Sequence, residues 1–256
     1  MRALVLSAGR GERLKPLTDT TPKPIVELGG RPLIHYALGM LARAGIRDVA
    51  INVHHCAGAI ESALGNGSAL GIRITYAPET TLLGTGGPLI ALGDFFGADP
   101  FVIATCDSIL DLDLTAVAAF HRDRGALATM VLRDSEIANA YSRIEIDRDS
   151  RVRRMSLLHS AAPSGVIDFP AAIAPEIAAQ LTRLMYCGVM VCDPAIIKLA
   201  PRTTPFSLIS DLLAPMVSDG MPVFGFVHTG YFRTVDDLAS LERLRAEFAA
   251  SPPRIQ

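Results

Sequence analysis

A chain of 256 residues, 50% hydrophobic and 20% charged, is long enough to bury a large core in one α/β domain or in two. Its net charge of −2 leaves no basic footprint for nucleic acid or an anionic membrane, and no apolar run is long enough to span a bilayer. Four cysteines without Cys-x-x-Cys spacing, and a strand-like run in place of an export signal after Met1, predict reduced buried thiols and a cytoplasmic location.

Taken in chain order, Ala3–Ser7 reads as a buried strand. Pro32–Ala44 reads as a helix, because Leu33, Tyr36, Ala37, Met40, Leu41 and Ala44 recur at three- and four-residue spacing and Gly45 follows as a helix C-terminal glycine. Strands are predicted at Val49–Val53, Ile72–Ala77, Phe101–Thr105 and Ala126–Leu132, with helices at Ala59–Leu64, Gly86–Phe96 and Leu114–Arg124 between them. Tyr141–Asp147 and Arg151–Leu157 form a predicted hairpin turning at Asp149–Ser150, followed by a poorly patterned stretch over residues 160–175. Leu184–Cys192 reads as a buried strand. Phe206–Met216 and Val235–Phe248 read as helices flanking a strand at Val223–Val227, and Ser251–Gln256 as a frayed tail. The alternation predicts an α/β fold. This is a Rossmann-like three-layer sandwich, with a mostly parallel mixed sheet, helices on both faces and a small β-hairpin insertion. Ligands of such sheets sit outside the carboxyl ends of the strands, which directs attention to the loops after Ala3–Ser7 and Phe101–Thr105.

The first of these loops carries Gly9 and Gly11, which let main-chain N–H groups approach an anion without Cβ obstruction. Arg13 adds a planar, permanently charged fork, and Lys23 sits between Pro22 and Pro24 on a stiffened backbone. Neither the P-loop order nor the Gly-x-Gly-x-x-Gly dinucleotide spacing is present, since position 14 is Leu. The run Gly9-x-Gly11-x-Arg13-Leu14-x-Pro16-Leu17-Thr18-x-x-x-Pro22-Lys23-Pro24 resembles the signature of the sugar-1-phosphate nucleotidyltransferases, the NDP-sugar pyrophosphorylases. Gly84-Thr85-Gly86-Gly87 resembles that family's nucleoside-binding loop, and Asp107 its metal aspartate. The resemblance is strong to about residue 134 and looser after it, and the length matches the short bacterial members. It implies one nucleotidyltransferase domain over residues 1–256, with a nucleotide-binding part over about 1–134 and a sugar-phosphate-binding part over about 135–250.

What the resemblance implies for the site is specific. Ala8, Gly9, Gly11, Arg13, Lys23, Glu79, Gly84, Thr85, Gly86 and Gly87 would bind nucleotide; Arg13, Lys23 and Asp107 would be catalytic; Asp107 and Asp236 would hold Mg²⁺. The usual second aspartate position of the family is Thr234 here, and Asp236 matches a variant that places it two residues later; Asp236 or Asp237 also suits the cap of the following helix. On the sugar-phosphate side Tyr141-Ser142 replaces a common Tyr-Gly, and Cys187-Gly188 stands where Asn-Gly is frequent; Tyr141, Cys187 and Gly188 are the expected contacts. The family's Glu-Lys-Pro lysine is missing, with Arg153 or Arg154 as substitutes or as plain surface arginines. Glu79 suits either base recognition or an exposed turn.

The expected reaction is Mg²⁺-dependent nucleotidyl transfer from an NTP to a sugar-1-phosphate, giving an NDP-sugar and pyrophosphate. GTP or UTP is favoured and CTP is a further option. Two other readings stay open: transfer to a non-sugar phosphomonoester such as phosphocholine, and a non-catalytic nucleotide-binding regulatory subunit. Neither nucleic acid nor membrane is an expected partner, and the sequence carries no signal for oligomeric state.

Overall fold

A computed structural model describes residues 1–134, 142–158, 165–251, 253 and 255. In chain order the elements begin with β1 (Ala3–Leu6), the short hairpin β2 (Glu27–Leu28) and β3 (Arg31–Pro32), and α1 (Ile34–Arg43). They continue through β4 (Asp48–Val53), α2 (Ala57–Leu64), β5 (Arg73–Pro78), α3 (Gly87–Ala91), α4 (Gly93–Phe96), β6 (Phe101–Thr105), β7 (Ser108–Leu110) and α5 (Leu114–Asp123). Next come β8 (Ala128–Arg133), β9 (Arg143–Ile146), β10 (Val152–Leu158), β11 (Val166–Phe169), α6 (Pro175–Ala178), β12 (Thr182–Cys192) and α7 (Ile196–Leu199). A wide helical turn at Leu208–Leu213 leads into α8 (Ala214–Ser218), then β13 (Val223–Val227), β14 (Phe232–Thr234) and α9 (Leu238–Ala250). Among the described residues no helix is long and apolar enough to cross a membrane.

The chain forms two compact units with interleaved segments. The first takes residues 1–82, 101–115 and 230–256, and the second 83–100 and 116–229. In the first, β1 lies between β4 and β6, and β5 follows β4, all parallel; Val5 is level with both Ile51 and Ala104. The continuous apolar runs of β1 and β6 are what a strand covered on both faces requires, and Ala3, Leu4, Val5, Val102 and Ala104 are indeed fully buried. Parallel pairing brings the carboxyl ends of these strands to one edge, so the residues after each strand share that edge. This is the Rossmann-like α/β arrangement that the strand–helix alternation predicts.

Four short strands of this unit escape the periodicity reading, β2 and β3 and the pair β7 and β14. β7 and β14 are three residues long and pair antiparallel, with Phe232 opposite Leu110 and Thr234 opposite Ser108. Such short segments show no usable alternation, and their partners lie more than a hundred residues apart. Beneath them an apolar cluster joins Leu14, Val26, Ile109, Val235, Leu241, Leu244 and Phe248. Ile255 belongs to the same cluster at 5% exposure, which corrects the expectation of a frayed tail at that position.

In the second unit β11, β10, β9, β12 and β8 pair antiparallel in that order, and β13 adds to β8 in parallel. The β9–β10 hairpin turns where expected: the Asp147 carboxylate accepts from the N–H groups of Asp149 and Arg151, each at 3.0 Å, and Ser150 takes φ +65°. β11 falls inside the stretch that lacked pattern; its partner is β10, with Asp168 opposite Ser156. The expected helix over Gly86–Phe96 is two short helices that part at Leu92–Gly93.

Candidate active site

The loop after β1 is shaped by its second glycine. Gly11 has φ +64°, and a Cβ there would sit 3.0 Å from the Thr18 methyl and 3.1 Å from Lys23 Cβ. A left-handed residue pressed against two side chains must be glycine. The Gly11 carbonyl accepts from the buried Thr18 hydroxyl and from Leu14 N–H, both at 2.9 Å, so the turn closes on itself. Thr18 stands in the sequence signature, yet only the fold shows that it holds the turn. At Gly9 a Cβ would meet no protein atom within 4 Å. Main-chain approach, not internal packing, is what that position permits. Ala8 is buried at the start of the same turn.

Arg13 and Lys23 each meet a carboxylate of the same unit. Arg13 Nη2 lies 3.2 Å from Asp236 Oδ1, and Lys23 Nζ donates to Asp107 Oδ2. Asp107 follows β6 at the carboxyl edge of the parallel strands and leads directly into β7. The β7–β14 pairing continues to Val235, whose N–H donates to the Asp107 carbonyl at 3.3 Å. Asp236 therefore stands one residue beyond the partner of Asp107. Each charged residue also has a near neighbour in the shared apolar cluster. Leu14, Val26, Ile109 and Val235 are at most 1% exposed, and burying each contributes about 1.5–3 kcal/mol. Burial of these neighbours fixes where the four charges emerge.

The two acidic residues before α9 divide the roles that the sequence left open. Asp237 caps the helix: its carboxylate accepts from Ser240 N–H at 2.7 Å, and Ser240 Oγ accepts from the Asp237 N–H at 2.9 Å. The N–H of Ser240 and then its hydroxyl hold the Asp237 carboxyl below the usual carboxylate range. Asp236 takes no part in the cap through its side chain and faces Arg13 instead. Cys106, beside Asp107, is buried; burial first and the Asp107 charge second push its thiol up to about 12, so it stays protonated. Glu79, at the carboxyl end of β5, is 8% exposed and its Oε1 accepts from Asn52 Nδ2 at 2.7 Å. It is not the exposed turn residue that the local sequence also allowed. Asn52 was missed altogether, because nothing in its surroundings in sequence marks a polar residue inside a strand as more than a core irregularity.

The second unit holds the other expected residues. In the Gly84–Gly87 loop, a Cβ on Gly84 (φ +77°) would lie 2.3 Å from the Phe206 carbonyl oxygen, and one on Gly86 2.1 Å from the Phe206 ring. Gly86 N–H donates to Phe206 O at 3.0 Å, and Thr85 Oγ1 accepts from Leu208 N–H at 2.9 Å. A Cβ on Gly87 would meet Leu83 Cβ at 2.5 Å. Internal packing thus accounts for these glycines without a ligand. Cys187 and Gly188 sit in a bulge of β12, where the register against β8 jumps between Tyr186 and Met190 and Gly188 takes φ +79°. The Cys187 side chain is fully buried and its thiol is pushed up to about 12 by that burial. With the Cys187 side chain sealed in the core, the expected contact at Cys187 and Gly188 falls to the main chain of the bulge. Tyr141 lies outside the described residues. Arg154 does not stand free for a phosphate: it pairs with Glu145, as does Arg183 at 2.8 Å, and Glu145 is 2% exposed. Arg153 lies 3.8 Å from Asp147. Among the described residues no group of three or more His, Cys, Asp or Glu side chains is set to hold a metal ion.

The chain is 28% identical over 237 residues to a UTP–glucose-1-phosphate uridylyltransferase of Synechocystis, covering 88% of this chain and 57% of that protein. It is 44% identical over 117 residues to an N-acetylmuramate alpha-1-phosphate uridylyltransferase of Neisseria meningitidis, covering 45% of this chain and 51% of that one. The chain thus spans about half the length of these relatives. A solved structure from Bacillus anthracis, assigned as a glucose-1-phosphate thymidylyltransferase and bound to sucrose, shares the fold with TM-score 0.77 at 20% identity, over 96% of this chain and 94% of that one. The nucleotidyl transferase family model matches residues 2–156. With that match over more than half its length, the chain belongs to the nucleotidyl transferase family.

Proposed function

We propose that this chain transfers a nucleotidyl group from an NTP, UTP or GTP before CTP, to a sugar-1-phosphate, releasing pyrophosphate and forming an NDP-sugar. The observation that carries the reading is the pairing of Lys23 with Asp107 and of Arg13 with Asp236 beside the Gly9–Gly11 turn. Two cations and two carboxylates neutralise one another here, in partly exposed positions; the Asp107 and Asp236 side chains are 20% and 17% exposed. Arg13 is 70% exposed, and an exposed ion pair holds together by only about 0–1 kcal/mol, so phosphate can take over that cation at little cost. Lys23, at 13%, is more enclosed.

The acceptor phosphate oxygen attacks the α-phosphorus, a new P–O bond forms, and the bond to the β-phosphate bridging oxygen breaks. The nucleophile is already an anion, so no general base is needed, and the work is positioning and charge neutralisation. Main-chain N–H groups around Gly9 and Gly11 orient the triphosphate. Arg13 neutralises the departing pyrophosphate, and Lys23 steadies the charge on the α-phosphate. Asp107 and Asp236 offer hard carboxylate oxygens, which suit Mg²⁺ because it keeps several waters and needs one or two protein carboxylates beside substrate phosphates. When bound, Mg²⁺ would supply Lewis-acid neutralisation of phosphate charge.

Pyrophosphate release should be measured for each NTP against a panel of sugar-1-phosphates with Mg²⁺, and with phosphocholine as a control acceptor. Release that requires a sugar-1-phosphate is the expected result. Release with phosphocholine alone would replace the acceptor class. Nucleotide binding without release from any pair would favour the regulatory reading over the catalytic one.

A further inference from the structure

We propose that Asn52 is a positioning residue that ties the entrance of the glycine turn to the Glu79 carboxylate, so that the triphosphate grip and the Glu79 side of the nucleotide site are set together. This rests on the nucleotide-binding reading above. Asn52 stands on β4, level with Leu6 of β1 and Ala77 of β5, and is 3% exposed. Its Oδ1 accepts from Ser7 N–H at 2.8 Å, and its Nδ2 donates to Glu79 Oε1 at 2.7 Å. A main-chain N–H can be met only by an acceptor, so the amide has one orientation and its nitrogen must face the carboxylate.

Neither an acidic nor an aliphatic residue does both. An aspartate would still accept from Ser7 but would confront Glu79 with a second negative charge. A leucine would leave a buried N–H and a buried carboxylate oxygen without this partner. Ala50, two residues back on the same face of β4, is a fully buried apolar side chain, so packing alone would be served by an aliphatic group at position 52. The main chain of Glu79 is fixed at the same edge: its N–H donates to Val53 O at 2.8 Å, and its carbonyl lies 2.8 Å from His54 Nδ1. Ser7 precedes Gly9 by two residues, so a shift of Asn52 moves the turn and the Glu79 carboxylate at once.

The test compares Asn52→Ala, Asn52→Ser, Glu79→Gln and the double variant Asn52→Ala/Glu79→Gln. Binding of UTP and GTP is measured by titration calorimetry; kcat and both KM values and the melting temperature are measured alongside. Losing both buried hydrogen bonds should weaken nucleotide binding about tenfold or more in Asn52→Ala, while kcat and the acceptor KM stay within about twofold. The double variant should be no weaker than Asn52→Ala, because the coupled contact is already broken. Asn52→Ser, which keeps a hydroxyl able to donate and accept, should recover part of the loss. Unchanged nucleotide affinity in a folded Asn52→Ala, additive losses in the double variant, or equal losses for both substrates with a lowered melting temperature would each overturn the proposal. Should Asn52→Ala fail to fold, Asn52→Ser against Glu79→Gln carries the same comparison. A wild-type chain that binds nucleotide but turns over nothing sinks the transferase reading and leaves this inference standing on binding; one that binds no nucleotide sinks both.

Discussion

Among the described residues each unit sets two cations against carboxylate, Arg13 and Lys23 in the first and Arg154 and Arg183 in the second, and the two arrangements are built for opposite ends. In the first unit Arg13 and Lys23 have one carboxylate each, on separate elements, and all four groups keep some exposure. In the second, Arg154 and Arg183 share a single carboxylate, Glu145, at 2% exposure, with all three residues on adjacent strands β10, β9 and β12. The first arrangement can trade its partners for phosphate. The second cannot release Glu145 without stranding a buried charge. Charged residues clustered on a fold are therefore not alike: burial of the shared carboxylate separates a clamp from an exchangeable site.

This contrast can be broken at several points. The largest effect is expected at Lys23 and Asp107, where Lys23→Met and Asp107→Asn should each lower kcat about 10²–10³-fold with little change in melting temperature; losses under tenfold in either would dissolve the exchangeable-site reading. Glu145→Ala should do the reverse, lowering unfolding free energy by about 2–3 kcal/mol through the loss of a buried carboxylate from two arginines, with nucleotide affinity intact by calorimetry. If chemical denaturation instead shows it as stable as wild type, the clamp does not exist. Smaller effects sharpen the first cluster. Asp236→Asn should slow turnover about tenfold or more, whereas Asp237→Ala should lower the melting temperature and leave turnover unchanged; swapped outcomes would reverse the assignment of cap and site. The smallest effect concerns thiols. Cys106 and Cys187 are raised to about 12 by burial, so they stay protonated at pH 8. The native chain should then react with a disulfide reagent only through the half-exposed Cys56, and all four thiols should react after denaturation. Fast native labelling of a second thiol would mean that a core strand opens.

β1, β6 and β13 announce themselves as short continuous apolar runs, and Gly45 (φ +77°) ends α1 as its position implied. Gly11 was legible as a required glycine, but on a different ground: the sequence pointed to anion approach, whereas the structure shows a left-handed turn packed against Thr18 and Lys23. The Gly84–Gly87 loop was read as a nucleoside-binding loop; that Gly84 and Gly86 also pack on Phe206 was not legible, because Phe206 lies 120 residues along the chain from Gly86 and gives no local signal. Arg154, readable either as a substitute for the missing lysine or as a plain surface arginine, is committed to Glu145; the pairing depends on β9–β10 register, which is set by the hairpin as a whole.

The chain's own order of residues determined the strand–helix alternation, the stiff glycine- and proline-bounded turn, and the presence of Arg13, Lys23 and Asp107, since each follows from local periodicity or from the conformational limits of single residues. Tertiary structure alone decided that β14 pairs with β7 and so brings Asp236 beside Asp107, that Asp237 is the helix cap, that Asn52 spans from Ser7 to Glu79, and that Cys187 is sealed in a bulge. These outcomes depend on pairing between segments far apart in sequence, where packing of the intervening core, and not local preference, selects the register.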